Sequence, residues 1–186
     1  MRIFDWLRET FRDHARDDIC ARLQSWGIGA RLAERGRPEV IPGHGTWLID
    51  IYKGPIHWVN VRGEMVEEGG DYCAVYWIEY IVPDLKLATR FLGLIAKWSR
   101  ERRRWEGNEW SLDVTALLNG DLRLREQLRS VDTDLEIRGY PSLKCWVLSI
   151  MTESRVPPLP SRDLWNCLQS VIGHLPIEPP PPLLFI

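Results

Sequence analysis

The sequence predicts an α+β fold in which one antiparallel sheet packs with helices in the order α-β(β)ββ-α-(α)-ββ-α. Three observations predict it. Apolar residues recur at steps of three and four near both ends of the chain, and alternating aromatic and β-branched runs fill the stretch between residues 46 and 82. Ten tryptophans are spread over almost every candidate element, each bringing a large apolar area and one N–H donor that needs a partner when buried.

The first helix is expected over 3–26, where Ile3, Leu7, Phe11, Ala15, Ile19, Leu23 and Trp26 form one stripe and Gly27 stands at the C-terminal cap position. A short strand near Ala30–Ala33 leads into a loop rich in proline and glycine. Thr46–Tyr52 and Ile56–Arg62 then read as a hairpin across Lys53-Gly54-Pro55. With three loop residues, Tyr52 faces Ile56, and Trp47, Ile49 and Ile51 share a face with His57, Val59 and Val61. A two-residue turn would mix Asn60 into that apolar set, so the pattern selects the longer loop.

After a polar connection from Glu64 to Asp71, Tyr72–Val82 is expected to be another strand. Pro83-Asp84 opens a predicted helix with Asp84 as N-cap, Leu85, Ala88, Phe91, Leu92, Ile95 and Trp98 as its buried stripe, and Arg100–Arg104 against its C-terminal dipole. Trp110, Leu112 and Val114 alternate briefly. Asp121 is placed to cap a short helix carrying Leu124 and Leu128. Leu135–Arg138 and Leu143–Met151 read as a second hairpin, and Ser161 precedes a last helix carrying Leu164, Trp165, Leu168, Val171, Ile172 and Leu175. Residues 1–175 are thus expected to form a single α+β domain, followed by a proline-rich C-terminal tail over 176–186.

The order helix, three strands, helix, two strands, helix resembles that of the type III secretion chaperones and the related YbjN-like folds. The stretch 105–130 departs from that order. The resemblance implies a dimeric protein that binds partners and carries out no catalysis.

Composition narrows the function classes. The formal net charge is −2, which supplies no global field for nucleic acid or an anionic membrane. Charges interrupt the first turns of the chain, so no secretory leader is expected there, and no window is long and apolar enough for a membrane span. Cys20, Cys73, Cys145 and Cys167 are dispersed, without C-x-x-C or histidine at zinc-ligand spacing. The expected setting is a reducing cytoplasm, with no metal and no cofactor. Gly27-Ile28-Gly29 and Gly43-His44-Gly45 do not continue as a dinucleotide fingerprint, since Leu32 and Leu48 stand where the third glycine belongs.

Three readings of function follow from particular residues. The leading one is a cytosolic, non-enzymatic partner-binding or structural protein, chaperone- or adaptor-like and homodimeric. Its expected contact surface is an aromatic sheet face made of Tyr52, Trp58, Tyr72, Tyr76 and Tyr80, because tyrosine and tryptophan bury much area at little rotamer cost. The alternative is an enzyme using the strand carboxylates Asp50 and Glu79 with His57 and Cys73 nearby. The plainer reading of that set is an exposed Asp50, a sheet-end His57, a core Cys73 and a Glu79 paired with arginine. The third is nucleic-acid binding through Arg100–Arg104 with Trp105 as a stacking ring, against which stands a solvated helix end.

Overall fold

A computed structural model of the chain describes residues 3–33, 48–68, 71–87, 91–153 and 159–177. Among these, α1 is Ile3–Ser25, α2 Leu112–Gly120, α3 Leu122–Val131 and α4 Arg162–Ile172. The strands are β1 Ala30–Leu32, β2 Leu48–Ile51, β3 Trp58–Glu68, β4 Asp71–Pro83, β5 Ile95–Ser99, β6 Arg104–Gly107, β7 Leu135–Tyr140 and β8 Cys145–Glu153. They form one eight-stranded antiparallel sheet in the order β1-β2-β3-β4-β8-β7-β5-β6, so the α+β class read from the sequence is the observed one. The chain divides into two compact units, Met1–Ile81 with Ser149–Arg162, and Val82–Leu148 with Asp163–Ile186.

In the first unit α1 ends where the sequence places its cap. Gly27 takes φ +78°, the Gly27 N–H donates to the Gln24 carbonyl, and the Ile28 N–H donates to the Leu23 carbonyl. These two bonds are the Schellman pair, and only glycine enters that left-handed position without a Cβ penalty. Ala15, Ile19 and Leu23 are buried, and α1 packs on β1, β2 and β3.

The β2–β3 register is the one selected by apolar parity. Ile49 pairs with Val59 and Asp50 with Trp58, and the Ile51 N–H donates to the His57 carbonyl. Ile49, Ile51, Val59 and Val61 are all buried on one face, whereas Trp47 lies outside the described residues. His57, expected on that apolar face, is instead an exposed residue just before β3, and Asp50, which the plainer reading exposed, is buried.

The segment Glu64–Asp71 differs from expectation. Its described residues are strand, not connection: β3 continues to Glu68, which pairs with Asp71 at the start of β4. This long hairpin fixes Val59 opposite Tyr80 and Gly63 opposite Tyr76. Tyr76 and Tyr80 therefore lie on the Val59 face, away from Trp58, and both are buried.

In the second unit the described residues of 85–98 form no α-helix, and Ala88 of the expected stripe lies outside the described residues. Gly93 takes φ +79° in mid-segment, Leu85 and Leu92 are exposed, and the chain enters β5 with Ala96 and Trp98 buried and Lys97 outward. Arg100–Arg103 is a four-residue β-hairpin turn, closed by the pair Ser99–Arg104 and by the Arg103 N–H donating to the Ser99 carbonyl. The hairpin brings Trp98 against Trp105 with ring centroids 6.1 Å apart, both buried.

Asp84 does not cap a helix either. It is buried, its Oδ1 accepts from the Lys86 N–H at 3.2 Å, and its Oδ2 accepts from the Trp146 indole at 3.0 Å. Phe91 packs on the same indole with centroids 5.2 Å apart. Gly139 lies beneath them: a Cβ there would meet the Phe91 carbonyl oxygen at 3.0 Å and the Trp146 ring at 3.3 Å. The cap at Asp121 is as expected, with its Oδ1 accepting from the Leu124 N–H at 2.9 Å. Helix α4 buries Leu164, Trp165, Cys167, Leu168, Val171 and Ile172 along one side. Residues Glu178–Ile186 of the expected tail lie outside the described residues.

Candidate functional site

Two surfaces gather chemistry, one in each unit. The first is the sheet face opposite the Val59 layer. Alternation puts Asp50, Trp58, Asn60, Arg62, Trp77 and Glu79 on it together. Asp50, Asn60 and Glu79 are nearly inaccessible there, with 6%, 2% and 4% exposure. Polar groups that deeply placed need partners, and they have them. Arg31 Nε lies 3.3 Å from Asp50 Oδ2, and the Asn60 amide donates to Glu79 Oε2 at 2.8 Å. The Arg62 guanidinium stacks 4.5 Å from the centre of the Trp77 ring, and Arg31 stacks 4.9 Å from that of Tyr52.

The sequence-based catalytic set is only partly assembled. Asp50 and Glu79 share this face, two strands apart and two residues along, which puts their backbones roughly 12 Å from each other. That separation is too long for two carboxylates to share a proton. His57 stands outside the sheet, and burial pushes its imidazole below the usual range. Cys73 sits opposite Val66, six residues along β4 from Glu79, or roughly 20 Å of strand. The arrangement fixes each charge by a specific neighbour and does not converge on one point.

The expected aromatic face is split in the same way. Tyr52 is 54% exposed, and Trp58 is half-buried with its ring edge-on to His57 at 5.6 Å. Tyr76 and Tyr80 are buried on the opposite face, and burial pushes both hydroxyls above their usual range. Tyr72 pairs with Glu67 on β4, and its side chain lies outside the described residues.

The Arg100–Arg104 stretch caps the β5–β6 hairpin. Arg102 and Arg104 both bind Glu106, whose carboxyl is held below the usual range by hydrogen bonds from Arg104 and then Arg102. Arg100 Nη1 lies 3.7 Å from Asp132. Much of this basic run is thus answered by acids of the same surface.

The second surface was not anticipated. Trp110, Leu112, Leu117 and Leu122 are 57%, 64%, 58% and 70% exposed, four large apolar side chains within thirteen residues. The local cause is a helix whose apolar residues outnumber the positions it can bury. Val114 and Leu118 of α2 turn inward, and Leu112, Ala116 and Leu117 remain outward. The brief Trp110-Leu112-Val114 alternation imitates a strand, which hid this helix from a reading by period.

Beside these residues lies an open groove of about 730 Å³, lined by Asp113, Ala116, Leu117, Gly120, Asp121 and His174. Such a volume falls within the ~300–1,000 Å³ of ligand sites. One end is closed by a polar contact: His174 Nε2 lies 3.1 Å from Asp121 Oδ2, and His174 Nδ1 lies 2.9 Å from the Ser170 carbonyl. Asp121 is held below the usual carboxylate range by the Leu124 N–H, with His174 adding to it.

Among the described residues no group of three His, Cys, Asp or Glu side chains is placed to hold a metal ion, and no helix is long and apolar enough to cross a membrane. No known protein family, curated protein or solved structure matches this chain.

Proposed function

We propose that the chain is a partner-binding protein of the adaptor or chaperone kind, and that the exposed apolar face of α2 with Trp110 and Leu122 is where it takes hold of another polypeptide. The observation that carries this reading is the exposure of Trp110, Leu112, Leu117 and Leu122 along one short stretch. Single exposed apolar side chains are ordinary, but four within thirteen residues, one of them lining a groove, favour a contact surface. Tryptophan and leucine here offer area, and the Asp121–His174 pair at the rim offers a polar boundary that fixes where a bound segment stops.

A homodimer through this face is the first form of the proposal to test. Sedimentation velocity over a hundred-fold range of concentration, on wild type and on a Trp110→Ser/Leu112→Ser/Leu117→Ser variant, reads self-association directly. Quantitative affinity capture with the same two baits reads hetero-association. The expected result is an association that the triple variant loses while its circular dichroism stays native. Identical behaviour of the two proteins in both assays would remove the proposal.

A further inference from the structure

Independently of the outer face of α2, we infer that the outer edge of β6 is a pairing surface for β6 of a second copy of this chain, and that Asn119 of α2 holds it shut. Among the described residues β6 is the last strand of the sheet, paired on one side only. Hydrogen-bond parity shows which of its groups face outward. The Ile95 carbonyl accepts from the Asn108 N–H and the Ser99 carbonyl from the Arg103 N–H, so Ile95, Lys97 and Ser99 turn their peptide groups toward β6. Their partners Glu106, opposite Lys97, and Arg104, opposite Ser99, turn inward in return. Trp105, between them, points its N–H and carbonyl away from β5, to the edge of the sheet.

Asn119 takes both groups. The Trp105 N–H donates to Asn119 Oδ1 at 2.9 Å, and Asn119 Nδ2 donates to the Trp105 carbonyl at 3.0 Å. Bonds in both directions with one residue are what a neighbouring strand offers at a hydrogen-bonded antiparallel pair. One carboxamide near the end of α2 stands in for that strand here. Edge strands need such cover, because their unpaired peptide groups are templates for another chain.

The edge is also self-complementary. When two copies of β6 run antiparallel with Trp105 opposite its own counterpart, Arg104 of each copy stands opposite Glu106 of the other. Opposite charges directly across a pair attract, and like charges repel. Each copy also contributes the two backbone bonds now spent on Asn119. Pairing requires the C-terminal end of α2 to leave the strand. The joint at which it turns is Asp121, extended at φ −85° and ψ 99° between α2 and α3, and itself tied to Leu124 and His174. Val114 and Leu118 are buried on α2 and make that departure costly, so the shut state is the resident one.

Sedimentation velocity on the full chain tests this. Asn119→Asp keeps an acceptor for the Trp105 N–H but sets a carboxylate against the Trp105 carbonyl. It should loosen α2 and tighten self-association on the order of ten-fold over wild type, the worth of one or two freed backbone bonds. In that background Arg104→Glu sets carboxylates against each other across the pair, and Glu106→Arg does the same with guanidiniums. Each alone should return association to the wild-type level. An equimolar mixture of the two should restore it, because every cross-strand pair is then of opposite charge. Association of Asn119→Asp equal to wild type with native circular dichroism, or a mixture no tighter than its components, overturns the inference. Where Asn119→Asp loses its native spectrum, Asn119→Ala, which removes both bonds and adds no charge, carries the same comparison. The triple serine variant above leaves β6 intact, so association lost there bears on the α2 face alone, and rescue by mixed charges bears on β6 alone.

Discussion

Removing the carboxylate of Asp84 should cost this protein more stability than any other single polar truncation discussed above. Asp84 is 3% exposed, and its two oxygens accept from the Trp146 indole at 3.0 Å and the Lys86 N–H at 3.2 Å. Asp84→Ala leaves the indole N–H of a fully buried tryptophan without an acceptor, a loss of about 1–3 kcal/mol. Losing the Lys86 bond adds about 0.5–1.5 kcal/mol, less because Lys86 is exposed and its N–H regains water. The total of about 1.5–4.5 kcal/mol corresponds to a fall of roughly 3–18 °C in Tm for a chain of this size. Asp84→Asn keeps one acceptor and should fall between. The decisive measurement is a double-mutant cycle with Trp146→Phe in urea, at unchanged m-value. A coupling of about 1.5–3 kcal/mol is expected for a charged hydrogen bond. A coupling below about 0.5 kcal/mol would show that the two groups are neighbours without being partners, and would refute the reasoning.

Three other substitutions and one test of reactivity follow from the same structure. Gly107→Ala should destabilise by at least about 1–3 kcal/mol in urea unfolding, because its Cβ would meet the Ile95 carbonyl oxygen at 2.6 Å and collide with Ser111 Oγ. Asn60→Ala should cost about 1–3 kcal/mol by the same measurement, since it removes the amide that donates to buried Glu79. Cys145 and Cys167, whose thiols burial pushes up to about 12, should resist a thiol reagent at pH 8 in the native protein and react only on unfolding. At Glu136, burial pushes the carboxyl up, but hydrogen bonds from Arg138 and then Lys97 outweigh it and leave it below the usual 4.5. A depressed folded value means that its stabilisation is complete above the unfolded value and is lost as pH falls through the folded one. Glu136→Gln should therefore flatten the acid limb of a stability-against-pH profile, and an unchanged limb would contradict this.

What the sequence disclosed depended on whether a pattern was closed by a turn. The β2–β3 register could be read because Lys53-Gly54-Pro55 bounds two runs whose parity permits only one apolar face, and Val59 lies opposite Ile49 as that argument requires. The β3–β4 register could not, because the polar residues of Glu64–Glu68 look like a loop. The available signal was Gly69-Gly70, a hairpin dipeptide, and without it the tyrosine row was assigned to the wrong face. Leu85, Phe91, Leu92, Ile95 and Trp98 fall at helical steps by coincidence. Gly93 was the breaker within them, and the partner that makes Trp98 a strand residue, Trp105, is visible only in three dimensions. The α2 face escaped for a different reason: a helix with more apolar residues than it can bury has no clean amphipathic period to detect.

The polar row of the first unit has a consequence for how the sheet finds its pairing. Strand side chains alternate, so a slip of one residue in β3 would carry Asn60 into the layer now held by Ile49, Val59 and Tyr80, and a slip in β4 would do the same to Glu79. Each slipped sheet would bury an amide or a carboxylate against hydrocarbon, away from the donor or acceptor it has in the native register. The apolar face alone is more forgiving, since isoleucine, valine and tyrosine can repack in several ways. Asn60 and Glu79 thus act as a proofreading pair: they make near-miss pairings of the long hairpin more costly than the correct one, before the rest of the molecule has closed around it.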